Sequence, residues 1–155
     1  LHPDGQNERF ALEEYICLLK AKRINFTSMN SSISPLPSEN QGIFKYHSTG
    51  FSVLLKSEIT QYKWDDIETI TGYKLDLLTT DEICMDIVFC DNSCLTLYES
   101  TTGWSYFNES LFKSIPSINK EWETGVMHPA LKTNLTLLFD KKDRSQEAVL
   151  KELYK

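Results

Sequence analysis

Glycine is scarce, with six residues in 155, and none falls into a GxGxxG or GxxxxGK[ST] run. Such loops cradle nucleotide phosphates because glycine lets backbone amides approach closely, so no nucleotide cradle is expected. Cysteine is sparse too: Cys17, Cys84, Cys90 and Cys94, with no CxxC pair and no histidine nearby to complete a zinc set. They are expected as free thiols in a reducing cytoplasm, with a Cys90–Cys94 bridge across a tight turn as the alternative. No GxSxG elbow occurs, and no serine or cysteine has the surroundings of an activated nucleophile. No apolar run approaches the roughly 18 residues of a membrane-spanning helix. The opening stretch LHPDGQNERF lacks a basic region followed by an apolar one, so no intact signal peptide is expected there.

Positive charge is in deficit as well, and unevenly. The formal net charge is −6, yet residues 57–99 alone hold ten acids against two lysines. The rest of the chain is slightly basic. An acidic surface repels nucleic acid and anionic membranes and attracts cations and basic proteins. The densest stretch is WDDIETITGYKLDLLTTDEICMDIVF, residues 64–89, with seven carboxylates and one lysine.

What is present suffices for one domain. A chain of this length buries roughly 70% of its unfolded surface, and eight Phe, seven Tyr and three Trp can fill a core. Residues 8–23 space Phe10, Leu12, Tyr15, Ile16 and Leu19 at three and four, predicting an amphipathic helix that ends in Lys20, Lys22 and Arg23. Residues 25–42, rich in Ser, Asn and Pro, predict an irregular linker. The chain thus divides into an N-terminal helix and linker, 1–42, appended to a single domain, 43–155.

From residue 43 the period becomes two. IFKYH and TGFSVLLK predict a hairpin, ITQYKW a third strand, and IETITGYKLDLL a fourth with Ile67, Thr69, Thr71, Tyr73, Leu75 and Leu77 on one side. In EICMDIVFC, Ile83, Met85, Ile87 and Phe89 alternate with Glu82, Cys84, Asp86 and Val88. CLTLYE returns after a short turn. The period then turns helical over 100–116, with Trp104, Phe107, Leu111 and Ile115 as the stripe and Thr101 or Thr102 as cap. Residues 119–130 read as irregular, 132–142 as a strand and 144–155 as a last helix. The expected class is α+β: an antiparallel β-meander with one face on a core, similar to a pleckstrin-homology-like half barrel, plus packed helices.

The acids admit several chemistries. Ca²⁺ or Mg²⁺ needs oxygens converging on one point. DLLTTDEICMDI has no glycine at its sixth position and apolar residues between its acids, so no metal or other cofactor is expected. Asp65 and Asp66 could serve as paired acid and base only if burial pushed their pKa values apart. His128, in VMHPA, is a candidate base; His2 and His47 complete the inventory. Trp122, in an irregular stretch between Lys120, Glu121 and Glu123, reads either as core or as an interface anchor.

Several motifs taken together, KWDDIETITGYKLDLLTTDEICMDIVF, then ESTTGWSYFNESL, then HPALKTNLTLLF, resemble a family of small, poorly characterised bacterial cytoplasmic proteins. The likeness covers roughly residues 43–140. It departs at Leu131, where an aromatic is expected, and at residues 1–42, which lie outside it. No catalytic activity is assigned to that family. Some similar small acidic proteins are immunity proteins that accompany secreted toxins, so the resemblance implies a cytoplasmic, non-enzymatic binding protein. Its acidic residues Asp65, Asp66, Glu68, Asp76, Asp81 and Glu82, with Trp122, would dock a basic partner such as a toxin nuclease. The alternatives are a metal-dependent or His-dependent hydrolase, and an oligomerising regulatory or scaffold domain whose 8–23 helix meets a second copy.

Overall fold

The change of period at residue 43 is where the sheet begins. The computed structural model describes residues 41–55, 57–77, 80–128 and 133–153. The expected helix over 8–23 lies outside them. Alternating apolar residues build β1 (Phe44–His47), β2 (Gly50–Leu55) and β3 (Glu58–Lys63), an antiparallel sheet in the order β1-β2-β3. A 3-10 turn, η1 (Trp64–Asp66), leads into β4 (Ile67–Asp76), β5 (Asp81–Phe89) and β6 (Cys94–Tyr98). Two helices follow, α1 (Trp104–Ser114) and α2 (Trp122–Met127). The strand β7 (Thr136–Asp140) returns beside β4, and α3 (Gln146–Leu153) follows it. The second sheet runs β6-β5-β4-β7, every pair antiparallel. The architecture is α+β.

The core lies between the sheets. Phe107 of α1 meets the rings of Phe44 at 4.9 Å and Phe51 at 5.2 Å, and Met85, Ile87, Leu95 and Leu97 close the cluster from β5 and β6. Trp104, Phe107, Leu111 and Ile115 bury themselves as the helical spacing predicts. The cap of α1 differs from expectation. No side chain caps it; Gly103 stands there at φ 95°, a left-handed conformation that glycine adopts without strain, and a Cβ on it would strike the Gln41 carbonyl. Thr101 instead accepts from the Tyr98 amide through its hydroxyl.

The facing of β4 also needs correcting. Ile67 pairs with Phe89 and Thr69 with Val88, so the register slips at Glu68. One extra residue in one strand reverses the side that later residues face. Ile67 and Ile70 therefore both reach the core, and Gly72 follows on that side under Trp122. Thr69, Thr71 and Tyr73 turn to the opposite face. That opposite face is buried as well: Thr69, Thr71, Tyr73, Cys84, Asp86 and Thr96 are all nearly inaccessible. The alternation in β5 places its inward residues as expected; of its outward ones, Glu82 and Val88 are half-buried, but Cys84 and Asp86 do not meet solvent.

The stretch 119–130, expected to be irregular, contains α2. Trp122 and Val126, one turn apart, are buried and hold these six residues helical despite Thr124 and Gly125. Tertiary burial outweighs weak local propensity here. Cys84, Cys90 and Cys94 form no disulfide. No described helix is long and apolar enough to cross a membrane.

Candidate functional site

The strand β4 separates the acids instead of gathering them. Ten residues at about 3.3 Å each put roughly 30 Å between its ends. Asp65, Asp66 and Glu68 lie at one end, and Asp76, Asp81 and Glu82 at the other, where Asp76 and Asp81 face each other across the β4–β5 pair. Asp86, the seventh carboxylate of the stretch, is inside, accepting from Thr96 Oγ1 at 2.6 Å and Tyr73 Oη at 3.4 Å.

Most of these acids already have protein partners. Glu68 takes Lys142 at 2.5 Å, with Arg144 at 3.9 Å. Asp81 lies 2.9 Å from the Nζ of Lys74, a lysine only 3% exposed that also donates to the Met127 carbonyl at 3.4 Å. A buried ammonium needs such a counter-ion, because uncompensated charge is strongly disfavoured away from water. Glu82 accepts the Ser100 hydroxyl. Asp76 is exposed at the end of its strand.

Asp65 and Asp66 differ from these. Both are exposed, and neither carboxylate has a hydrogen-bond or ionic partner among the described residues. Their backbone, by contrast, is fixed. Lys141 Nζ donates to the Asp65 carbonyl at 2.6 Å, and the Cys90 amide donates to the Asp66 carbonyl at 2.9 Å. Trp64 anchors the turn with its ring 4.7 Å from that of Phe51. Beside Cys90, Asp91 accepts the Ser93 amide at 2.8 Å, and the hydrogen bonds from Ser93 lower its pKa. The corner therefore presents Asp65, Asp66 and Asp91 on rigid turns, tempered by Lys141 and Lys142. Among the described residues no three His, Cys, Asp or Glu side chains come together in a way that could hold a metal.

Of the two readings of Trp122, core or interface anchor, the structure places it in the core. It is 3% exposed, its ring covers Gly72, and its Nε1 donates to Asn108 Oδ1 at 3.3 Å. Trp104 packs edge-on against it at 6.0 Å and donates to Glu123 at 2.8 Å. These contacts fasten α2 to α1 and β4. His128 is exposed at the end of α2.

One pair escaped the sequence reading: His47 Nε2 lies 2.7 Å from Ser52 Oγ. The two residues are five apart on adjacent strands of a hairpin, and only the cross-strand register brings them together. The arrangement resembles a base and nucleophile, but β2 is the central strand of its sheet, bonded on both sides. Its amides are committed to the ladder, so the β2 backbone offers no oxyanion donor beside Ser52.

The network around Arg144, at the β7 edge, is structural. Arg144 spans Asp140 at 2.7 Å, Glu152 at 2.6 Å and the Thr69 hydroxyl at 3.1 Å. The Asp140 carboxyl is pulled down to about 2, chiefly by hydrogen bonds from the Arg144 side chain. No family model, curated protein or solved structure matches this chain.

Proposed function

We propose that this chain is a non-enzymatic binding protein that docks a basic protein at the corner formed by η1 and the β5–β6 turn, in the manner of an immunity-type inhibitor. The observation that carries this reading is the pair Asp65 and Asp66: two exposed carboxylates without partners among the described residues, on a backbone held at both carbonyls. A site fixed before binding loses little conformational freedom on association. The inhibition would be by occlusion, the carboxylates competing with substrate phosphates for the lysines and arginines of a toxin nuclease. Electrostatic steering then makes association fast and salt-sensitive.

Within this proposal Asp65 and Asp66 lead. Glu68, Asp81 and Glu82 have internal partners, and Asp76 with Asp81 and Glu82 lies at the far end of β4. The proposed setting is the bacterial cytoplasm, supported by Cys84, Cys90 and Cys94 forming no disulfide, and the proposed scaffold is pleckstrin-homology-like.

The test is capture of a partner from lysate of the source organism, comparing wild type with Asp65→Lys/Asp66→Lys. A basic protein retained by the wild type, eluted by salt and lost by the variant supports the reading. Equal retention by both proteins, or an association rate unchanged from low to high salt, overturns it.

A further inference from the structure

A strand at the rim of a sheet keeps half of its backbone groups out of the ladder, and among the described strands β1, β3, β6 and β7 lie at rims. On three of them the chain itself takes up an amide. The Phe44 amide of β1 donates to the Gln41 carbonyl at 3.1 Å, and the Tyr98 amide of β6 to the Thr101 hydroxyl at 3.2 Å. On β7 the Leu137 amide donates to Gln146 Oε1 at 3.0 Å. The rim at β3 is different.

Its register fixes which groups face out. The Trp64 amide donates to the Thr49 carbonyl at 3.1 Å, next to the Gly50–Lys63 pair. Bonded and non-bonded pairs alternate in an antiparallel ladder, so Phe51–Tyr62 and Val53–Thr60 are bonded too. The Leu54 amide agrees, since it turns from β3 to the Ile43 carbonyl at 2.9 Å. The amides and carbonyls of Ile59, Gln61 and Lys63 therefore point away from β2. None of them has a hydrogen-bond partner among the described residues, and all three residues are exposed. Ile59 is 67% exposed, and Leu54, its cross-strand neighbour, 49%. At about 3.3 Å per residue the open edge runs roughly 13 Å from Ile59 to Lys63.

This edge leads straight into the acidic corner. Trp64 follows Lys63, and the exposed carboxylates of Asp65 and Asp66 come next. One line of chain thus offers unpaired ladder groups, then an apolar pair beside them, then negative charge at its end. An added strand satisfies the first, and cations complement the last. A second copy of this chain fits poorly. Antiparallel pairing of two β3 strands about Gln61 would set Glu58 of one copy beside Asp65 of the other, and facing like charges are destabilising.

We infer that the basic partner adds an extended strand to the β3 edge, antiparallel like the described strand pairs, with an apolar residue beside Ile59 and Leu54 and cations at Asp65 and Asp66. This rests on the proposed role of the two aspartates and states what the partner must present to them. Main-chain bonds hold the strand, and the carboxylates fix which end of it lies at the corner.

The probe is the synthetic peptide acetyl-Arg-Arg-Thr-Thr-Gln-Thr-Ile-Thr-amide, which laid antiparallel on β3 brings its Ile to Ile59 and its arginines to the corner. Its control is the same peptide N-methylated at the third, fifth and seventh residues, whose amides would face β3. Charge is unchanged, but the donors are gone. On the full chain at low salt, the first peptide is expected to bind about tenfold or more tighter than the control. It is also expected to slow hydrogen exchange at Ile59, Gln61 and Lys63, read by NMR. Gln61→Pro, which removes an outward amide and spares the β2 ladder, and Asp65→Lys/Asp66→Lys are each expected to weaken it about tenfold. Should Gln61→Pro not fold, the two peptides still decide the matter on the wild type. Equal binding of both peptides, with the charge reversal still effective, overturns strand addition and leaves the acidic corner standing. Binding that N-methylation abolishes but charge reversal does not change overturns the inference together with the role of the two aspartates. A peptide that does not bind at all overturns strand addition. So does protection of Ile59, Gln61 and Lys63 that rises with concentration of the protein alone, by giving the edge to a second copy.

Discussion

Asp140 shows how one side chain ties stability to pH. Its carboxyl is lowered from 3.8 to about 2 by Arg144, then by the Arg144 amide and the Thr69 hydroxyl, against the opposing effect of burial. A depressed carboxylate contributes stability that is fully present above its unfolded value and lost as pH falls through its folded value. The difference corresponds to about 2 kcal/mol, lost between roughly pH 4 and pH 2. Denaturant midpoints measured across that range are expected to fall in the wild type. In Asp140→Asn the loss, about 2 kcal/mol, is already present at neutral pH, and this part of the acid dependence disappears. Gly72 sets a steric limit instead. A Cβ there would lie 2.6 Å from Trp122 and 3.1 Å from Leu138. Gly72→Ala is therefore expected to lower stability by about 1–3 kcal/mol, the usual cost of overpacking, read from the chemical denaturation midpoint.

The elements β4 and α2 show where local and tertiary signals part. The bulge at Glu68 lets one strand serve two interiors: Ile67 and Ile70 on the core side, Thr69, Thr71 and Tyr73 on the other. Helix α2 exists because Trp122 and Val126 find buried sites, not because its six residues favour helix. Trp122→Ala is expected to lose about 3–5 kcal/mol, seen as a lower unfolding midpoint and loss of amide protection in α2. A large drop in partner affinity at unchanged stability would contradict this assignment to the core. The turn η1 is held differently. Its carbonyls carry structural bonds and its carboxylates make none among the described residues, so Asp65→Lys/Asp66→Lys is expected to change stability by no more than about 0.5 kcal/mol.

For the whole molecule, net charge is a poor guide to where a partner would sit. The acidic total of the central segment is dispersed by β4 over about 30 Å and partly neutralised by Lys74, Lys142 and Arg144. The exposed carboxylates without partners among the described residues, Asp65 and Asp66, sit at the η1 corner. Reversing those two charges is expected to slow association with the captured partner about tenfold or more at low salt, with little change in dissociation. Stopped-flow rates at two ionic strengths separate this from a packing defect, which would act on dissociation and ignore salt.

The sequence by itself determined the class and most of the elements. Period two over 43–98 dictated antiparallel strands, because alternate side chains must go to opposite faces. The three-and-four spacing of Trp104, Phe107, Leu111 and Ile115 dictated α1. It also marked the acidic stretch, since composition needs no fold to be read. Only the tertiary structure decided which acids are available. The Lys74–Asp81 and Lys142–Glu68 pairs join residues brought together by turns and pairing, 7 and 74 positions apart. Only it could reveal the bulge, because one extra residue leaves the hydrophobic pattern readable while reversing the side each residue faces. The burial of Trp122 and of the second face of the sheet was decided there too. Burial belongs to what lies opposite a side chain, and nothing in the neighbouring sequence records it.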